Sequence, residues 1–200
     1  MKAIIFDFDG VIHDTFEVFY DIMKQLYPNI TKEEYRSYFD GNIFKKVDIE
    51  PSKEEDFKFK ELVYEAFKKL KLEKNIRTEL EKLSKKFDLY IISSNSIDNL
   101  KMYFKNNNFT NVFEEILAAE AHKSKVKKIK ILFEKYDLNP NSCIFVTDTL
   151  GDILEGNKVG IKSIACTFGF HDEERLKKGN PFKIISNFEE IRKIINNISN

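Results

Sequence analysis

The chain has 200 residues, 42% hydrophobic and 33% charged, which suits one domain, or one core with a modest insertion, able to bury its apolar side chains and stay soluble. Lysine plus arginine equals aspartate plus glutamate, 33 against 33, so no basic excess points to a nucleic-acid surface. No run approaches the roughly 18 apolar residues of a membrane span, and Asp7 and Asp9 interrupt the first apolar stretch, so it does not read as a signal peptide and a cytoplasmic protein is expected.

In chain order, Ala3 to Phe8 is apolar on both alternating faces, as a central parallel strand is when helices cover both sides of its sheet. It ends in Asp7 and Asp9, which share one side because strand residues two apart do, and Gly10 then lets the chain turn. Ligands of open α/β sheets bind outside the carboxyl ends of strands. Two like charges there raise the pKa of one member unless a cation offsets the repulsion, so a divalent ion and a proton shuttle are both natural uses of the pair.

Residues 16–78 read as helix throughout. Thr31 with Glu34 and Ser52 with Glu55 form capping boxes, and Phe59, Leu62, Val63, Ala66, Phe67 and Leu70 repeat at helical spacing. This predicts an all-helical insert at 16–78, directly after the first strand, and a discontinuous core of 1–15 and 79–200.

Beyond the insert, short apolar runs alternate with helical patterns. The runs are "LYIIS" from Leu89, a weaker "FEEILAA", "CIFVT" from Cys143 and "SIACT" from Ser163. Ser96, Ser124 and Asn187 serve as N-caps, Asn187 with Glu190 in a loose capping box. The alternation implies an α/β fold with a doubly wound parallel sheet. Cys143 and Cys166 lie in apolar runs, so buried free thiols are expected rather than a disulfide.

Three further segments carry polar residues at strand or helix ends. In "CIFVTDTLGDI" a buried strand runs into Asp148, with Asp152 four residues on. Magnesium prefers oxygen ligands and often takes one or two carboxylates plus waters, which Asp7 and Asp148 from adjacent strand ends would supply; alternatively, Asp148 caps the helix and Asp152 adds to its acidic first turn. In "LYIISSNSIDNL" the Ser94 hydroxyl and the free N–H groups of a helix start make an anion cradle. In "HKSKVKKIKILFEKY" Ile129, Leu132, Phe133 and Tyr136 form the buried stripe. Lys125 falls in the first turn, where a cation opposes the helix dipole and hints at an anionic partner, with Lys123 the competing candidate.

Taken together, these segments resemble the haloacid-dehalogenase-like hydrolase superfamily, in its phosphoglycolate-phosphatase-like branch with a helical cap after the first strand. "DFDGVIHDT" matches the first motif, "IISSN" the second, Lys125 or Lys123 the third, and "VTDTLGD" the fourth; "GIKSIACTFGFH" resembles the next strand and turn. Thr147 stands where many relatives have glycine, which would narrow the space beside the metal, and His13 where a hydrophobic residue is usual, either packed under the cap or touching substrate.

The resemblance implies a Mg2+-dependent phosphatase acting on a small phosphorylated metabolite. Asp7 would be the nucleophile that becomes an aspartyl-phosphate, and Asp9 the acid and base. Asp7, Asp148 and the Asp9 carbonyl would hold the metal, with Asp152 supporting it directly or through neighbours. Ser94, the Asn95 backbone and Lys125 would bind the phosphoryl oxygens, and the cap would close over the site and select the substrate. Tyr20, Tyr35, Phe39 and Lys45 are equal candidates for cap contacts, and His171 with the "GNPF" stretch is expected in a surface loop near the site. A sugar-phosphate mutase, a non-catalytic phosphate- or magnesium-binding module and a receiver-type phosphoacceptor are the alternatives. A dehalogenase is disfavoured because dehalogenases lack the second aspartate. The sequence does not indicate an oligomeric state.

Overall fold

The computed structural model describes residues 1–46 and 51–199. Six strands form one sheet in the order β3-β2-β1-β4-β5-β6, every neighbouring pair parallel. They are β1 (Ala3–Phe6), β2 (Asp88–Ile92), β3 (Glu115–Leu117), β4 (Cys143–Thr147), β5 (Lys162–Cys166) and β6 (Lys183–Ile185). β1 is buried on both faces, as its unbroken apolar run requires: Ile4 and Phe6 join one cluster, Ala3 and Ile5 the other. β6 has no counterpart in the sequence reading, since Lys183–Ile185 is too short to show a period of two.

Between β1 and β2 lies the helical insert: α1 (Phe16–Leu26), α2 (Lys32–Ser37), a 3-10 turn (Tyr38–Asp40), α3 (Ile43–Lys46) and α4 (Lys53–Phe67). Both capping boxes form, Thr31 with Glu34 and Ser52 with Glu55. α5 (Lys74–Ser84) follows and packs Ile76, Leu80 and Leu83 into the core. The boundary expected at 78/79 therefore falls inside one continuous core helix, and the insert's last helix ends at Phe67.

α6 (Ile97–Asn106) and α10 (Glu190–Ser199) share the α5 face of the sheet through Leu100, Tyr103, Ile191 and Ile195. α7 (Lys125–Lys135) covers the opposite face with Ile129 and Leu132. α8 (Leu150–Asn157) and α9 (Glu173–Lys177) pack on β5 through Ile153, Leu176 and Ala165. Ser96 caps α6 by accepting from the Asn99 N–H, and Glu190 accepts from Asn187 in the expected loose box. Cys143 and Cys166 are buried free thiols. Among the described residues, no helix is long and apolar enough to cross a membrane.

Insert and core share one apolar cluster. Phe8 meets Phe67 of α4 at 5.7 Å between ring centres and Tyr103 of α6 at 4.9 Å edge to face. The sheet order reverses beside β1: the chain goes out to β2 and β3, then returns to β4 on the other side. That switch opens a crevice at the carboxyl ends of β1 and β4.

Candidate active site

Asp7 and Asp9 both reach this crevice. Asp7 is buried, and its Oδ1 accepts the N–H of Phe8 at 2.7 Å while Lys125 Nζ donates to its Oδ2 at 2.5 Å. Burial pushes the Asp7 carboxyl well up, Lys125 pulls it down, and Asp152 and Asp148 push it up again. Asp9 is half-buried. The Thr15 hydroxyl donates to its Oδ1 at 2.8 Å, and Ser93 Oγ and Asn95 Nδ2 lie 3.5 and 3.4 Å from its Oδ2. Burial raises the Asp9 pKa against the pull of those bonds and of Lys125.

From the end of β4, Asp148 is completely buried. The Phe170 N–H donates to its Oδ2 at 2.8 Å, while its Oδ1 is buried without a hydrogen-bond partner. Backbone crowds it closely: a Cβ on Gly10, where φ is +71°, would sit 1.8 Å from Asp148 Oδ2, and one on Gly169 would sit 2.4 Å away. Burial pushes the Asp148 carboxyl up to about 8. Thr149 caps α8, and Asp152 lies in its first turn. Asp152 Oδ2 accepts from Lys125 Nζ and, at 3.0 Å, from the Thr147 hydroxyl. Burial would raise Asp152, but Lys125 and these bonds outweigh it and hold the carboxyl below its usual value. Thr147 thus ties down Asp152 rather than narrowing the crevice.

The two candidate lysines separate clearly. Lys125, at the first position of α7, is buried between Asp7 and Asp152; burial opposes its charge, and the two aspartates more than restore it. Lys123 is exposed, points its ammonium at the Phe44 ring 5.6 Å away, and does not line the cavity. Ser94 lines the crevice. Asn95 stands behind Asp9, and its N–H is already donated to Ser93 Oγ at 3.0 Å.

Four residues with a part in the site escaped the sequence reading. Ser93, fully buried, faces Asp9; the Ser93–Ser94 doublet was the signal, but not which serine points where. Lys128, also fully buried, donates to the Ser93 carbonyl, and burial with Lys125 nearby lowers its pKa to about 8. Its signal was a lysine one helical step from Lys125, adjoining the apolar stripe. Thr15 and Glu155 carried no signal beyond their type.

The insert roofs the crevice with Phe39, Gly41, Asn42 and Ile43. Of the four cap candidates, Phe39 alone lines the cavity. Tyr20 and Tyr35 are packed inside the insert, and Lys45 is exposed. Arg36 Nε donates to the Phe170 carbonyl at 3.0 Å, and Arg175 of α9 pairs with Glu33 and Asp40 at 2.8 Å each. His171 is 1% exposed, so it is no surface residue: its Nδ1 accepts the Leu150 N–H and its Nε2 donates to the Arg36 carbonyl, both at 3.0 Å. "GNPF" leads into β6 at the sheet edge. His13 leans on Tyr103, Nδ1 3.2 Å from the hydroxyl, and does not line the cavity.

The roofed cavity is about 50 Å³, room for roughly three to five waters. Among the described residues, five acidic side chains and one lysine line it. A divalent cation fits that charge balance and the unpartnered Asp148 Oδ1. No three His, Cys, Asp or Glu side chains among the described residues form a metal-holding group.

Known proteins resemble this chain over nearly its whole length. Phosphoglycolate phosphatase of Synechococcus elongatus is 24% identical over 192 residues, covering 90% of this chain and 91% of the relative. A solved haloacid dehalogenase-like family hydrolase of Streptococcus pneumoniae superposes with a TM-score of 0.81 at 24% identity, over 98% of each chain. A predicted phosphoglycolate phosphatase of Haemophilus somnus superposes with a TM-score of 0.80 at 19% identity, again over 98% of each. The pattern of the haloacid dehalogenase-like hydrolases matches residues 4–166, from β1 through β5, and the chain belongs to that family.

Proposed function

We propose that the protein is a magnesium-dependent phosphatase that hydrolyses a small phosphomonoester through an aspartyl-phosphate on Asp7. The observation that carries this reading is the meeting of Asp7, Asp9 and Lys125 at one cavity: a nucleophile, a proton donor and a cation for the transferring group.

A carboxylate Oδ of Asp7 attacks phosphorus, and the bond to the ester oxygen breaks. Asp9, whose pKa is raised by burial, delivers its proton to that oxygen as the alcohol leaves. Asp9 then takes a proton from the water that attacks the aspartyl-phosphate, which frees phosphate and restores Asp7. Thr15 fixes the Asp9 side chain through Oδ1, and Ser93 and Asn95 approach its Oδ2. Lys125 and Ser94 bind the non-bridging oxygens and offset their charge. Asp7, Asp148 and the Asp9 main-chain carbonyl would hold magnesium, and Asp152 acts indirectly by orienting Lys125. When bound, the ion lowers the repulsion between the Asp7 carboxylate and the phosphoryl group. The cavity is too small for a phosphorylated metabolite with the insert down, so the insert opens to admit substrate and closes to exclude water.

The test is a screen of phosphorylated metabolites for magnesium-dependent phosphate release, with Asp7→Asn as the blank. The wild type releases phosphate from at least one monoester, and the variant loses about 10³-fold or more while remaining folded. Undiminished hydrolysis by the variant rejects Asp7 as nucleophile. Transfer of phosphate between two positions of one sugar, without release, would point to a mutase instead.

A further inference from the structure

Glu155, in the second turn of α8, is a buried side chain with no part in the chemistry above. Three donors from two segments, the insert and the start of α7, converge on it. The Ser124 hydroxyl donates to its Oε1 at 2.7 Å, and Asn42 Nδ2 and the Lys125 N–H donate to its Oε2 at 3.1 and 3.4 Å. A glutamate carboxylate only accepts, so all three bonds are matched.

The amide of Asn42 is held in the orientation this needs. Its Oδ1 accepts the Phe44 N–H at 3.1 Å, which leaves Nδ2 for Glu155 and, at 3.0 Å, for the Lys123 carbonyl. Ser124 precedes α7, but its hydroxyl makes no capping bond to that helix and goes to Glu155 instead. One turn earlier on α8, a Cβ at Gly151 would meet the Gly41 carbonyl at 2.2 Å. The insert therefore rests directly on the helix that carries Glu155.

We propose that Glu155 is a positioning residue that couples closure of the insert to the seating of Lys125. With the insert down, Asn42 completes the donor set around Glu155, and Glu155 fixes the main chain from which Lys125 projects between Asp7 and Asp152. Raising the insert withdraws Asn42 and loosens that anchor. The lysine is then in register only when the roof is closed and water is excluded, so admission of substrate and assembly of the phosphoryl site alternate. The turnover consequence rests on the phosphatase reading; the mechanical link does not.

The experiment uses the full chain and compares wild type, Glu155→Gln, Asn42→Ala and the double variant. Hydrogen exchange is followed at the amides of residues 39–45 and 123–127, and turnover is measured on p-nitrophenyl phosphate with magnesium. Glutamine at 155 turns an N–H group toward donors, so E155Q is expected to speed exchange in both segments about tenfold or more and to lower kcat/KM by a similar factor. N42A speeds exchange at 39–45 and also at 123–127, a segment that, among the described residues, Asn42 reaches by side chain through Glu155 and the Lys123 carbonyl. The double variant is no worse than E155Q alone, because both substitutions cut one link. A merely structural Glu155 would lower the melting temperature and loosen 123–127 without coupling to Asn42. Additive effects, or wild-type exchange at 39–45 in E155Q, overturn the proposal. If E155Q fails to fold, N42A decides alone: unchanged exchange at 123–127 overturns the link. Coupled exchange in a wild type that hydrolyses no monoester keeps the link and removes the phosphatase reading.

Discussion

The ammonium of Lys125 lies between Asp7, which follows β1, and Asp152, in the first turn of α8, with all three side chains buried. One cation holds two acids from different elements in register. Removing one partner of a buried ion group strands the others, at a cost of about 3 kcal/mol. Lys125→Met is therefore expected to lower stability by about that amount in urea unfolding and to reduce kcat/KM by about 10³-fold. Lys123→Ala stays within about twofold of wild type, as exposed substitutions usually do. Equal losses in the two variants would put the phosphate-binding lysine in doubt.

Asp9 is the proposed proton donor, so its loss should depend on the alcohol. Asp9→Asn is expected to cost about 10²- to 10⁴-fold with alkyl phosphates and much less with activated aryl phosphates, whose oxygen leaves without a proton. Rates on a series of esters of graded leaving-group pKa read this as a steeper slope in the variant. Parallel slopes would exclude Asp9 as the acid.

Asp148 leaves one buried oxygen unpartnered and is hemmed in by backbone at Gly10 and Gly169. Chelation should abolish turnover and magnesium should restore it. Gly169→Ala forces Asp148 aside and is expected to raise the magnesium needed for half-maximal rate about 10- to 100-fold. Wild-type activity that survives exhaustive chelation would contradict the metal assignment.

His171 joins the insert to the core as a neutral ring, with one nitrogen accepting and the other donating. Burial lowers its pKa, so the folded chain binds the proton less readily than the unfolded chain, whose imidazole titrates at about 6.5. Stability is then level above about pH 6.5 and falls as pH drops from there toward the folded value. Urea unfolding at pH 7.5 and 5.5 should show a larger drop in the wild type than in His171→Gln. Identical drops would clear His171 of the pH dependence.

What could be read from the sequence was whatever neighbours along the chain decide. Two-face burial of Ala3–Phe6, the capping boxes of Thr31 and Ser52, and the acids that end β1 and β4 all follow from spacings of two to four residues, and each stands in the fold. What the sequence left open was which polar groups are buried together. Lys123 and Lys125 flank the cap Ser124 and are alike in type, and only the tertiary packing buries Lys125 and leaves Lys123 exposed. Lys128, Glu155 and His171 look like surface residues because burial of a polar side chain depends on partners far along the chain: Ser93, Asn42 and Arg36. The start of α5 was missed for a related reason, since the residues on either side of 78 do not say which body each helix packs on. Local geometry therefore determined the elements and the acids at their ends, while the long-range pairing of buried charges, which no local pattern encodes, was settled only when sheet and insert came together.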